Sequence, residues 1–87
     1  MDNFIIMKSI HNKEYQQLLT LLKAKRIEKG FTQERLASSL GIKQGIISKI
    51  ETHERRLNVI ELRSICISLG ISFPEFINQL EKLIEDK

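Results

Sequence analysis

The chain of 87 residues is expected to be all-α, folding as one compact domain of five helices. Three observations predict this class. Apolar residues recur every three or four positions, and no segment alternates as a half-buried strand does. Capping residues and glycines fall at the breaks between the periodic runs. The breaks themselves are short, as between the helices of a bundle.

The first helix is expected over about 13–29, with Tyr15, Leu18, Leu19, Leu22 and Ile27 on one face and Gly30 as its stop. Thr32 can cap a second helix, which carries Leu36, Ala37 and Leu40 and breaks at Gly41. A third, over about 43–51, turns Ile46, Ile47 and Ile50 inward. Asn58 followed by Glu61 opens the fourth as an Asx variant of the capping box. Its stripe is Val59, Leu62, Ile65, Cys66 and Leu69, closed by Gly70. Ser72 with Glu75 repeats the device, and Pro74 is tolerated in the first turn of a fifth helix over about 73–86. That helix is striped by Phe76, Ile77, Leu80, Leu83 and Ile84. Residues 1–12 are expected to form an N-terminal arm, free to be disordered, beside a single domain over 13–87. Met7 serves as a start codon as well as Met1 does.

Composition excludes several classes of function. A domain this small buries only roughly 60% of the surface of its unfolded chain, which leaves little room for a pocket. Apolar residues make up 41%, yet no window approaches the ~18 consecutive ones of a membrane span. The opening "MDNFIIMKSI" has neither the basic start nor the cleavage site of a signal peptide, so a cytoplasmic location is expected. Cys66 is the only cysteine and sits in "SICISL", where a buried, inert thiol is expected and an internal disulfide is impossible. His11 and His53 lie far apart with no second ligand at metal-binding spacing, so no metal and no cofactor are expected. No Ser/His/Asp, Cys/His or phosphate-loop pattern suggests an enzyme.

Charge is unevenly spread. Residues 8–30 carry six basic against two acidic side chains, residues 43–56 four against two, and residues 57–87 three against five. A chain basic through its first two thirds and acidic at its end suits a polyanionic partner, although a solvated surface accounts for the same charges.

The stretch from Thr32 to Glu51 reads "TQERLASSLGIKQGIISKIE". It holds two helices of barely two turns, which only tertiary packing can hold. Ala37 is small where a crossing helix presses closest, Gly41 can take positive φ in a tight turn, and Leu36, Leu40, Ile47 and Ile50 supply a shared core. This is a helix-turn-helix over about 32–51. With the lead-in "RIEKGFTQ", the ending "ISKIE" and the continuation "ERRLNVIELRSICISLGIS", the chain resembles the phage repressor and Cro-type, or Xre-like, family over roughly residues 14–70.

The resemblance implies a lambda-repressor-like domain whose third helix enters the DNA major groove while the second crosses the backbone. Gln44, at the start of that helix, can then present its amide bidentately to adenine. Gln33 and Thr32, at the start of the second, face a phosphate, helped by free backbone N–H groups there. Ordinary solvent-facing glutamines are the plainer reading of both.

Two positions depart from the family pattern, which often has Ser or Thr in place of Lys43 and a base-reading side chain in place of Gly45. Lys43 suits a phosphate or a guanine. Gly45 either lets the backbone approach DNA or marks a chain that reads fewer bases, and it lowers helix propensity by ~1 kcal/mol relative to alanine. Ser48 lies ~40° from Gln44 around the axis and is the more nearly aligned base-reading candidate, while Lys49, ~140° away, is long enough to reach a base or a phosphate. Arg55 and Arg56 are candidate backbone clamps, with solvated loop charges as the alternative. The resemblance also implies an ion pair between Arg26 and Glu51.

A sequence-specific, double-stranded-DNA-binding regulator of transcription is therefore expected. Its versions include a restriction–modification controller and an antitoxin with a toxin partner; a helix-turn-helix used for protein binding is the reading from another class. One recognition helix reads few base pairs, so a homodimer is expected. Its interface is placed on the fifth helix at Phe76, Leu80, Leu83 and Ile84, unless that helix folds back onto the first.

Overall fold

The computed structural model describes residues 13–86. Among them are five helices and no strand: α1 (Lys13–Glu28), α2 (Gln33–Leu40), α3 (Gln44–Glu51), α4 (Val59–Leu69) and α5 (Phe73–Glu85). The expected N-terminal arm and Lys87 lie outside the described residues. No helix among the described residues is long and apolar enough to cross a membrane.

Local chemistry sets the boundaries. Thr32 stands in extended backbone before α2, and its Oγ1 accepts a hydrogen bond from the Arg35 N–H at 3.0 Å. Gly41 ends α2 at φ 71°, a left-handed turn open to glycine at no steric cost. Asn58 and Glu61 form a reciprocal capping box at α4: the Glu61 N–H donates to Asn58 Oδ1 at 2.8 Å, and the Asn58 N–H to Glu61 Oε1 at 3.1 Å. Ser72 Oγ accepts from the Glu75 N–H at 3.2 Å to start α5, with Pro74 in the first turn. α3 starts at Lys43 without a side-chain cap.

One core joins all five helices through Leu22, Leu36, Ala37, Ile47, Leu62, Ile65, Cys66, Leu69 and Phe76. The buried methyl of Ala37 lets α3 approach α2 closely, and these two helices pack against each other. Tyr15 ties α1 to the loop before α4, its hydroxyl accepting from the Leu57 N–H at 3.0 Å. Cys66 is fully enclosed, and burial pushes its thiol up to about 11, so the group stays protonated.

Three expectations need correction. Ile27 points to solvent; Leu19, Leu22 and Arg26 define the inner face of α1, and Ile27 sits ~100° past Arg26. Val59, in the first turn of α4, is exposed, while Leu62, Ile65, Cys66 and Leu69 turn inward. Phe76 cannot belong to a dimer interface, because it is 1% exposed and fills the core of its own chain. Part of the α5 stripe also lies along the fold. α5 packs against α1 and α4, Leu80 and Ile84 are half-buried, and Gln17 Nε2 donates to the Leu83 carbonyl at 3.4 Å. Leu83 and Ile77 remain exposed.

Candidate nucleic-acid interface

The site grows outward from one buried ion pair. Arg26 and Glu51 have side chains only 9% and 7% exposed, with Arg26 Nε donating to Glu51 Oε2 at 2.7 Å and Nη2 to Oε1 at 3.2 Å. A third guanidinium nitrogen, Nη1, donates to the Phe31 carbonyl at 2.6 Å, so the cation also ties down the α1–α2 connection. Buried charges persist only when paired and hydrogen-bonded, and both conditions hold here.

From Glu51 the chain of contacts runs to the surface. Gln33 Nε2 donates to Glu51 Oε1 at 2.9 Å, and Gln44 Nε2 donates to Gln33 Oε1 at 3.2 Å. The carboxylate thus accepts three charge-assisted or amide bonds, and the exposed amide of Gln44 is tethered through Gln33 to a buried anchor. The sequence placed Gln33 against phosphate and did not foresee its bond to Glu51. A glutamine one turn beyond a buried carboxylate's partner helix carries no periodic signal of that contact.

Other candidates occupy the same side to different degrees. Lys43, Gly45 and Lys49 are exposed, and no atom outside its chain neighbourhood lies within 4 Å of where a Gly45 Cβ would stand. Gly45 is therefore not required by packing. Ser48 is half-buried, with its carbonyl accepting from the Thr52 N–H and Oγ1, each at 3.0 Å. Thr32 is exposed, and its hydroxyl hydrogen stays available beyond the cap it accepts. His53, after α3, takes φ 67°, the left-handed conformation usually given to glycine at a helix end.

Arg55 differs from the loop cation that the sequence suggests. Its guanidinium pairs with Glu61 through Nη2–Oε2 at 2.9 Å and Nη1–Oε1 at 3.3 Å, and donates to the Arg56 carbonyl at 3.2 Å. The hydrogen bond from Arg55 holds the Glu61 carboxyl below its ordinary range, against a smaller opposing effect of burial. The capping residue of α4 thus doubles as the partner of Arg55 and compensates its charge. Arg56 is exposed. Among the described residues no group of three His, Cys, Asp or Glu side chains could hold a metal ion.

A family model described as helix-turn-helix matches residues 22–76, a span that includes α2, α3, α4 and the Arg26–Glu51 pair. Among solved structures, an XRE-family-like protein from Pseudomonas syringae pv. tomato str. DC3000 is 42% identical, with 90% of this chain and 95% of that chain covered and a TM-score of 0.81. The wild-type restriction-modification controller protein C.Esp1396I is 31% identical, with 88% of this chain and 100% of that chain covered and a TM-score of 0.80. No curated protein matches the chain.

Proposed function

We infer the function from one premise: the chain belongs to the Xre-like helix-turn-helix family. It is a sequence-specific DNA-binding regulator of transcription that lays α3 in the major groove and acts as a pair of identical copies. The tethered amide of Gln44 is the observation that carries this reading. One of its two N–H groups is spent on Gln33 Oε1, which leaves one donor and one acceptor facing outward. That donor and acceptor match N7 and the N6 amino group of adenine, and the Gln33–Glu51 anchor holds them in place before DNA arrives. Ser48 and Lys49 flank it as further base contacts, Lys43 at the start of α3 contacts a phosphate, and Gly45 admits the backbone close to the groove. Thr32, Gln33 and Arg56 face the phosphates, where the second N–H of Gln33 Nε2 is still available.

Gln44→Ala is expected to cost about 1–3 kcal/mol on a duplex selected for binding and to relax preference at one base position. Systematic base substitution in that duplex reads the effect; an unchanged preference would overturn the assignment. Phosphate contacts show instead in salt dependence. Lys43→Ala should weaken binding to all sequences alike and flatten the log–log salt slope by about one. Arg55→Gln should change the slope less, because Glu61 already compensates that charge. Equal slopes for Lys43→Ala and the parent would remove Lys43 from the footprint.

The likeness to C.Esp1396I over the whole of that chain favours a restriction–modification controller over an antitoxin. Restriction and modification genes beside this one would agree with that version, and a toxin gene would not.

A further inference from the structure

We propose that the buried carboxylate of Glu51 decides which purine Gln44 accepts, because it sets the direction of each hydrogen bond from Glu51 through Gln33 to Gln44. Glu51 is then a positioning residue that selects adenine over guanine. The inference deepens the base-reading role given to Gln44 above and rests on it. The direction is set at the ion pair. An ionised carboxylate only accepts, and Glu51 takes Arg26 Nε on Oε2 at 2.7 Å and Arg26 Nη2 on Oε1 at 3.2 Å. Any further group on Oε1 must therefore donate. Gln33 turns its Nε2 to Glu51, at 2.9 Å, and so its Oε1 to the surface. That oxygen also only accepts, and Gln44 turns its Nε2 to it, at 3.2 Å. The donor and acceptor ends of an amide are nearly equal in shape, so either glutamine could be inverted on its own. Neither is free to invert here, because the first link of the chain cannot donate.

This direction decides what Gln44 offers to a base. With one N–H spent on Gln33, it has one N–H and Oε1 left. That pattern fits adenine, which accepts at N7 and donates from its N6 amino group. In the inverted chain Gln33 Nε2 would donate to Gln44 Oε1, and Gln44 would offer both of its N–H groups. Two donors fit guanine, where N7 and O6 both accept. The observed direction instead sets Gln44 Oε1 against guanine O6, acceptor against acceptor. One side chain can thus read either purine, and the choice between them is made two links behind it.

Glu51→Gln inverts the chain. The new amide keeps its oxygen on Arg26 Nε, the shorter of the two contacts, which puts its nitrogen in the place of Oε1. That nitrogen donates to Gln33 Oε1, Gln33 Nε2 turns to Gln44 Oε1, and Gln44 is left with two donors. A second change restores the first direction. In a Gln33→Glu, Glu51→Gln variant the carboxylate at position 33 accepts both from the amide at position 51 and from Gln44 Nε2. The negative charge then stands nearer the phosphates and weakens binding to all duplexes, so the ratio between adenine and guanine is the readout.

The test uses a duplex selected by the parent chain, with each base in turn at the position that Gln44→Ala relaxes. The parent should prefer adenine to guanine there by about 5- to 150-fold, the worth of one bidentate pair. Glu51→Gln should bind the guanine duplex at least as tightly as the adenine one. Gln33→Ala leaves the ion pair whole but frees the Gln44 amide to invert, so it should bind the two nearly equally. Both variants should still favour purines over pyrimidines. Gln33→Glu, Glu51→Gln should recover the preference for adenine, which a merely structural role of Glu51 does not predict. Circular dichroism and thermal melting establish that each variant is folded at the temperature of the assay. A parent-like preference for adenine in Gln33→Ala or in folded Glu51→Gln overturns the proposal. So does a double variant that follows Glu51→Gln, or a parent that takes guanine as well as adenine. Should Glu51→Gln fail to fold, Gln33→Ala decides alone. If Gln44→Ala relaxes no position, the base-reading role fails and takes the proposal with it. If it relaxes one while Gln33→Ala keeps the parent's ratio, the proposal alone falls.

Discussion

Replacing Glu51 with alanine is expected to destabilise the fold by about 3–5 kcal/mol. The carboxylate is 7% exposed and accepts from Arg26 Nε, Arg26 Nη2 and Gln33 Nε2, so its removal strands a guanidinium that is itself 9% exposed. The Coulombic gain of such a pair roughly offsets its desolvation, but one partner left alone keeps the cost without the gain. Gln33 loses its anchor at the same time, and with it the restraint on Gln44. Chemical denaturation of Glu51→Ala reads the first effect. A loss below ~1 kcal/mol would mean that the pair behaves as a solvated surface contact. Replacing both partners with apolar residues of similar size should cost far less than removing either alone, which separates a stranded charge from a lost contact.

Phe76→Ala is expected to cost a similar amount, about 3–5 kcal/mol, through lost transfer energy and the cavity left behind. Phe76 is the fully buried side chain of α5, the helix that packs against α1 and α4. The size of the effect in a dilute, monomeric sample distinguishes this role from the interface role the sequence suggests. An interface residue would leave monomer stability within ~0.5 kcal/mol of the parent.

Those two residues mark where the sequence is legible and where it is not. The helix boundaries at Thr32, Gly41, Asn58, Gly70 and Ser72 follow from contacts within three or four residues, so capping chemistry reveals them. The helix-turn-helix is legible for the same reason. Its Ala37, Gly41 and Ile47 are fixed by steric needs at adjacent positions in space and sequence. Periodicity fails where polarity and burial part company. It gives the inward place near the end of α1 to Ile27, because an apolar residue is the default choice, whereas Arg26 takes it through a partner 25 positions away. It also assigns each helix a single apolar face. On α4 that hides Ile60 and Ile67 behind the core stripe, and on α5 it cannot divide one stripe between α1 and solvent. The link from Gln33 to Glu51 is likewise a matter of side-chain reach between helices, which no spacing along the chain encodes.

The central claim is that α3 reads DNA sequence in two copies, and selection from a pool of random-sequence duplexes tests it most directly. Rounds of binding and amplification with the parent chain should enrich a motif with two half-sites related by a two-fold axis, their centres about 10 base pairs apart. Each half-site should contain an adenine position that loses its constraint when Gln44→Ala is used for the selection. Recovery of duplexes with no shared sequence, or of a motif that Gln44→Ala selects unchanged, would contradict the account.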